Sequence, residues 1–459
     1  MINVWRQLQP LVNEIASALK IMASKQTNAT QVILPPNYKV EASLVGMNCL
    51  DKAEFNQTVS YACVEVPFSK CNEVSKSLKA FLVKLPNFKA VRNSDEGKGK
   101  LFVLNPDAVK SSGDSITEVL HSNNLELSDK EFQLGYENLS FQQISSLVLP
   151  NNQTVSGFSQ IGHIAHFNLR DETLPFKTIL AQVILDKLPT VKTVVNKTQN
   201  IETEFRNFSF EILAGDDNTV ADVVEHGVKF RLDFAKVYWN SRLSREHQRI
   251  VNFLDHNSVL IDPFCGVGPF ALPAAKKSCK VYANDLNPES IKWLKENIKL
   301  NKISPEKIEV HNLDASNFFQ NVLVKLLSWK PNPNEESFET NFHVPMNLPS
   351  LAHEFLEPLK SSVLKAEQKI MMPIFVHLYC FVTKENPTEE AILLVHKSLA
   401  MQNVSLGQFR DKCNVHEVRN VSVNKVMMCV SFNLKPVLNI ELDGELKTES
   451  DCKRVKLEN

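Results

Sequence analysis

The chain lacks any long apolar run. No stretch approaches the roughly 20 apolar residues that a membrane span needs, so no membrane partner is expected. Its nine cysteines are scattered. None forms a CxxC pair and no Cys/His group has zinc-site spacing, which points to a reducing compartment and no structural metal. A strong charge of one sign is missing as well. Lys plus Arg is 51 against 52 for Asp plus Glu, so a basic groove for nucleic acid would have to be offset elsewhere on the surface. Several Asn-x-Ser/Thr triplets occur, but with no secretory signal they carry no glycosylation reading. At 459 residues the chain is long enough for two or three domains with cores of their own.

What the chain does have is one well-marked unit, residues 258–301. Ser258–Ile261 is a short apolar run of strand character. Asp262 follows, then the tight loop Cys265-Gly266-Val267-Gly268-Pro269-Phe270, an alanine- and lysine-rich helical stretch, and a second apolar run, Lys280–Ala283, leading to Asp285. Strand, glycine turn, helix, strand, acid is one half of a nucleotide-binding α/β sheet. Gly266 and Gly268 let the backbone approach a ligand with no Cβ in the way. Asp285, at the end of the second strand, is placed to accept hydrogen bonds from both ribose hydroxyls.

Two ligands compete for this unit. Gly266–Ala271 matches the GxGxxG/A dinucleotide fingerprint, yet Pro269 and Phe270 stand where a pyrophosphate needs open backbone. An S-adenosylmethionine site instead puts an acid just before the loop, as Asp262 is, because that ligand's amino-acid end carries an ammonium and not phosphates. The methyl-donor reading is preferred, with a nonfunctional remnant as the third reading.

The rest of the chain divides around this unit. Residues 1–30 carry an amphipathic pattern with Arg6, Lys20 and Lys25 against one acid, Glu14, which reads equally as a mitochondrial presequence or as a surface helix. Residues 31–148 form an accessory domain, with a strand expected at Val59–Pro67 and a helix at Val74–Leu82. Residues 149–236 read as an α+β domain of RNA-binding size, with a helix at Thr178–Leu188 and a strand at Val191–Asn196. His163 and His166 in its first strand read as metal ligands or, lacking carboxylate or cysteine company, as hydrogen-bonded strand side chains; the second is preferred. Residues 237–440 form the main α/β domain. The charged tail 441–459 is expected to be disordered and ends in a basic cluster, Lys453 to Lys456, that is either a nuclear address or a soluble end.

Three further positions fall where such a sheet binds ligands. Glu246 opens the helix before the first sheet strand, among Arg242, Arg245, His247 and Arg249; it is a base beside the cofactor loop or one charge on a solvated face. Ile308–Leu313 reads as a third strand ending in Asp314, an acid suited to the adenine amino group. Met346-Asn347-Leu348-Pro349 closes the fourth strand at the switch point of the sheet, where the Asn347 amide can both donate to and accept from a nucleobase edge. Ile374–Phe381 and Lys425–Leu434 are suited to the last strands, with a helix near Pro387–Met401 between them. Residues 329–342 are a polar surface excursion.

Asp262-Pro-Phe-Cys-Gly-Val-Gly-Pro-Phe-Ala, Ala283-Asn-Asp-Leu-Asn-Pro288 and Met346-Asn-Leu-Pro349 together resemble the eukaryotic and archaeal tRNA (guanine-37 N1)-methyltransferases. Tyr238-Trp-Asn-Ser-Arg242-Leu-Ser-Arg-Glu246-His and Ile161-Gly-His-Ile-Ala-His-Phe-Asn-Leu-Arg170 are similar to the same family, so the likeness spans roughly 155–435 in order. It implies a class I, Rossmann-like methyltransferase domain behind two smaller tRNA-binding domains, with S-adenosylmethionine as donor. The implied partner is the anticodon arm of tRNA carrying G37. The resemblance implies a monomer; separately, cytoplasm and nucleus are the expected locations, with room for a mitochondrial matrix pool. By motif, Glu246 would take the proton from guanine N1, Arg206 would offset charge on O6, and Asn347 and Pro349 would hold guanine and cofactor. Tyr238 and Arg242 would line the substrate pocket. His247, Asp262, Gly266, Gly268, Asp285, Leu286, Asp314 and Ala315 would contact the cofactor. His247 stands where archaeal members often carry Arg, and Ser241 where they carry Pro. The resemblance leaves room for a related enzyme that transfers the aminocarboxypropyl group in wybutosine synthesis, and for an inactive tRNA-binding module. An N6-adenine methyltransferase is disfavoured, because Leu348 and Ser350 flank Pro349 where Asn-Pro-Pro-aromatic would be needed.

Overall fold

The computed structural model describes residues 33–438, apart from 96, 112–113, 151–152, 154, 156, 199–209, 329–339, 367–371 and 402. The presequence-like start, Arg206, most of the 329–342 excursion and the basic tail lie outside the described residues. Two compact units form. The first takes residues up to Ser159 with Phe167–Asn196 and Ile212–Gly215; the second includes Gln160–His166 and the chain from Asp216 on.

In the first unit, β1 (Gln57–Pro67) is central to an antiparallel sheet with β2 (Val91–Asn93), β3 (Gly99–Val103) and β4 (Leu127–Leu134), in the order β2-β3-β1-β4. Both faces of β1 are covered. Val64 and Val66 pack against α1 (Cys71–Leu78) and α2 (Asp114–Asn123) through Val74, Leu78, Ile116 and Leu120. Tyr61 meets Phe88 and Phe132. The helix expected over Val74–Leu82 starts earlier, at Cys71, and passes into a 3-10 turn at Lys79–Phe81. Apolar spacing marked its buried side but not its first turn. The helix expected at Thr178–Leu188 forms at Lys177–Lys187, and the strand expected at Val191–Asn196 forms at Thr193–Lys197.

From Asp216 on, the second unit has a hairpin, β5 (Val220–Glu225) and β6 (Val228–Asp233), followed by α3 (Ser244–Phe253). Then come β7 (Val259–Asp262), α4 (Ala271–Lys276), β8 (Lys280–Asn284), α5 (Pro288–Leu300), β9 (Ile308–His311) and α6 (Ala315–Phe318). The chain continues through β10 (Phe342–Met346), α7 (Leu356–Lys365), β11 (Ile374–Thr383), α8 (Pro387–Ser398), β12 (Cys413–Asn420) and β13 (Lys425–Asn433). These strands make a seven-stranded sheet in the order β9-β8-β7-β10-β11-β13-β12. It is parallel from β9 to β11 and antiparallel at β13 and β12.

That order creates the site. The chain runs outward from β7 through β8 to β9, then crosses back so that β10 adds to the other side of β7. The carboxyl ends of β7 and β10 therefore flank the switch point, the position at which open α/β sheets bind their ligands. One face of β10 and β11 carries Val344, Met346, Val376, Leu378 and Cys380 into an apolar core with α7 and α8. Burial on both faces explains why these strands read as nearly continuous apolar runs. The hairpin is tied to α5 by side-chain amides. Asn297 accepts from Arg231 N at 2.7 Å and donates to its carbonyl at 3.1 Å, and Asn301 does the same with Lys229 at 3.0 and 2.6 Å.

Candidate active site

Asp262 is the last residue of β7 and has no exposed surface. Its Oδ1 accepts from Phe264 N at 3.3 Å, while Oδ2 has no partner among the described residues. Burial pushes this carboxyl well above the usual range, and the nearby Asp285 adds to the effect. The loop beyond it turns through Gly266 at φ +53° and Gly268 at φ +101°, both left-handed. The two glycines differ. A Cβ on Gly268 would stand 2.7 Å from Leu272 Cγ and from Leu294 Cδ1, whereas one on Gly266 would meet nothing within 4 Å. Gly268 is needed for close packing of the loop on its helices, and Gly266 borders open space.

Asp285 lies just past β8 and is anchored by that loop. Gly266 N donates to its Oδ2 at 2.8 Å and Asn287 N to its Oδ1 at 2.9 Å. Burial raises its pKa against the pull of these amides. Asn284 beneath it bridges the strand ends, donating to the carbonyls of Pro263 and Leu313 at 3.1 and 2.9 Å. Asn312 braces the next turn by donating to the carbonyls of Asp285 and Leu286 at 2.7 and 3.0 Å. Leu286 is left 45% exposed beside it. The expected third strand stops at His311, and Asp314 caps the short helix that follows, accepting from Ser316 N at 2.9 Å with Ala315 buried behind it. Cys265 is buried, and burial with the two acids raises its thiol well above the usual range, which suits packing rather than attack.

Glu246 sits in the first turn of α3 and is 5% exposed. The solvated-face reading is thereby excluded. Arg249 grips it with a fork, Nε to Oε2 and Nη2 to Oε1, both at 2.7 Å. The Tyr379 hydroxyl from β11 donates to Oε1 at 2.7 Å, and His416 Nε2 lies 3.6 Å from Oε2. The neighbouring His247 is also buried. Its Nδ1 pairs with Glu225 Oε1 at 2.7 Å, and its ring meets Phe270 of the glycine loop edge-on, with centroids 4.9 Å apart. This residue thus joins the hairpin, α3 and the loop.

Asn347 and Pro349 follow β10 half-buried, and the Asn347 amide has no hydrogen-bond partner among the described residues. Tyr238 is 48% exposed, with its hydroxyl accepting from Asn240 Nδ2 at 3.1 Å, and Arg242 is exposed nearby in sequence. His163 Nε2 lies 3.1 Å from the Asn218 carbonyl. Burial, with the charges of Lys197 and Arg242, lowers the pKa of His166 to about 4. The strand expected to carry both histidines is broken: strands form at Ser159–Ile161 and Ile164–Phe167, so His166 is a strand residue while His163 sits in the turn between them and is hydrogen-bonded there.

The structure brings Asp262, Gly266, Gly268, Asp285, Asp314 and Asn347 to one edge of the sheet, with His247 against the loop from below. Sequence reasoning missed Glu225, Tyr379 and the pairing role of Arg249. Only the last left a local signal, since acid and base three apart on a helix share a face. Glu225 and Tyr379 reach their partners across 22 and 133 residues, which spacing does not disclose.

Known proteins are similar to this chain in sequence and in fold. The model of the TRM5/TYW2 methyltransferase domain matches residues 221–406, and that of the TYW2 N-terminal domain matches 145–219. The chain is 41% identical over 436 residues to the tRNA (guanine(37)-N(1))-methyltransferase of Xenopus tropicalis, covering 93% of this chain and 86% of that protein. It is 39% identical over 416 residues to the human protein of the same name, covering 88% and 78%. The crystal structure of wild-type Trm5b from Pyrococcus abyssi superposes with a TM-score of 0.57 at 24% identity, over 81% of this chain and 99% of that one, a likeness of fold.

Proposed function

The chain belongs to the tRNA (guanine(37)-N(1))-methyltransferase family, and on that premise we propose how its own residues carry the reaction. It transfers a methyl group from S-adenosylmethionine to N1 of guanosine 37 in tRNA. The observation that carries the site reading is the orphaned, fully buried Oδ2 of Asp262 beside an open glycine turn. A buried acceptor with no partner is costly unless a donor arrives, and the ammonium of the methyl donor is such a donor. Asp285 would hold the ribose through the lone pair that Gly266, Asn287 and Ser290 leave open, and Asp314 would take the adenine amino group with the oxygen its helix cap does not use. Gly266 and Leu286 border this space, with Ala315 behind Asp314 and His247 supporting the loop.

When bound, S-adenosylmethionine supplies a methyl group activated by a sulfonium. The chain's residues do the rest. Guanine N1 holds its proton at neutral pH, so a base must remove it as the new bond forms, and Glu246 is the carboxylate for that step. The Asn347 amide, without a partner of its own, takes the guanine edge, and Pro349 closes over it. Tyr238 and Arg242, both exposed, receive the nucleotide; an exposed tyrosine is suited to stacking on a base. Arg206, outside the described residues, stays assigned to O6. We further infer that the enzyme works as a monomer. It acts in cytoplasm and nucleus, with a mitochondrial pool supported by the amphipathic, Arg/Lys-bearing pattern before residue 30.

The test is transfer of labelled methyl to a tRNA transcript carrying G37, beside a transcript with A37. Label on the first alone, recovered as 1-methylguanosine, is the expected result. A product carrying the heavier aminocarboxypropyl group, or tRNA binding without any transfer, overturns it.

A further inference from the structure

Tyr379 is fully buried in β11, where a phenylalanine ring would fill the same space. A buried hydroxyl is costly unless it is hydrogen-bonded, and this one donates to Glu246 Oε1 at 2.7 Å. Burial holds the phenol well above its usual range, so it remains a donor. The strand register makes the contact informative. β11 runs parallel to β10 with Leu378 opposite Met346, so Tyr379 stands one step beyond, level with Asn347. Its ring also faces Phe270 of the glycine loop, with centroids 6.3 Å apart. One hydroxyl thus ties the carboxylate on α3 to the strand that runs beside the Asn347 position.

The lone pairs of Glu246 can be counted. On Oε1 both are taken, by Arg249 Nη2 and by the Tyr379 hydroxyl. On Oε2 one is taken by Arg249 Nε, and the nearest other group is His416 Nε2 at 3.6 Å. A single lone pair remains open, on Oε2.

We propose that Tyr379 is a positioning residue for methyl transfer: with Arg249 it fixes Oε1 of Glu246 so that the open lone pair of Oε2 receives the guanine N1 proton. This rests on the reading of Glu246 as the base. In the step, the N1–H bond breaks and an O–H bond forms on Oε2. The pair left on N1 makes the new N1–C bond as the sulfur–methyl bond breaks, its electrons staying on sulfur. The hydroxyl touches neither substrate nor donor; it sets the direction of the group that does.

Tyr379→Phe removes the hydroxyl and keeps the ring. The expected result is a roughly 10- to 100-fold slower single-turnover methyl transfer, since small misplacements of a reacting group cost that much, with dissociation constants for tRNA and S-adenosylmethionine within about two-fold of the parent. In a Glu246→Gln background the same change should have no further effect on the rate, as expected for groups acting as one unit. An unchanged rate accompanied only by a lower unfolding temperature overturns the proposal, as does a full further loss in the Glu246→Gln background. A Glu246→Gln enzyme as fast as the parent instead sinks the base reading itself. Should Tyr379→Phe not fold, Arg249→Lys keeps the charge but loses the fork. It should show the same split between rate and binding, and an unchanged rate there overturns the proposal.

Discussion

Two buried carboxylates in the second unit are opposites in their surroundings. Asp262 lies at the glycine-loop end of β7 with one oxygen unpartnered and its pKa pushed well up. Glu246, on α3 against β11, is nearly as buried but is held by an arginine fork and a tyrosine hydroxyl. Burial alone therefore does not mark a functional acid. A vacant oxygen marks where a cation is to be received, whereas a carboxylate clamped down to a single open lone pair marks a group whose direction matters. The first favours binding, the second chemistry.

The largest test of this contrast is Glu246→Gln. It should slow methyl transfer by about 10²- to 10⁴-fold, the usual worth of a general base, with tRNA affinity unchanged in a filter-binding titration. Loss of tRNA binding instead would make Glu246 a packing residue and erase the contrast.

Asp262→Asn should act on the other side, lowering affinity for S-adenosylmethionine about 10- to 100-fold by calorimetry, the worth of a charged hydrogen bond. It also has a pH signature. The raised pKa of Asp262 means that the folded chain holds this proton more tightly than the unfolded chain. Its contribution to stability is full below the ordinary carboxylate range and fades as pH rises through the raised value. Without cofactor, the variant should therefore gain in unfolding temperature over the parent as pH rises, by roughly 2–4 °C for each kcal/mol relieved. An unfolding temperature that falls at high pH would mean that Asp262 already has a partner in the free protein.

The smallest effects separate the two glycines. Gly268→Ala meets Leu272 and Leu294 at 2.7 Å on a backbone that is left-handed as well, and the overpacking should cost about 1–3 kcal/mol of stability in urea titrations on top of the backbone strain. Gly266→Ala has room and should cost only about 1–2 kcal/mol for its left-handed backbone, while weakening cofactor binding because its Cβ enters the open space. Equal losses of stability with no loss of binding would remove Gly266 from the site.

Much of this is legible in the amino-acid sequence. The strand–glycine loop–strand–acid series of residues 258–285 announced the sheet and its ligand end, because a left-handed turn and a strand-end acid are local requirements that local residues must meet. The strands at 374 and 425 were visible as apolar runs because both of their faces are buried. Element starts were less so: α1 began three residues early, and β9 ended before Asp314, which caps a helix instead. Capping and fraying depend on neighbours that periodicity does not see.

By itself, then, the sequence determined the α/β order, the glycine turn, and the acids and the amide that edge the switch point, since each is dictated by backbone geometry within a few residues. Only the tertiary structure decided which acid would be left vacant and which would be clamped. Strand register set Tyr379 beneath Glu246, and hairpin closure set Glu225 against His247. Those contacts join residues far apart in the chain, and their energies come from burial, which exists only once the sheet and α3 have packed together.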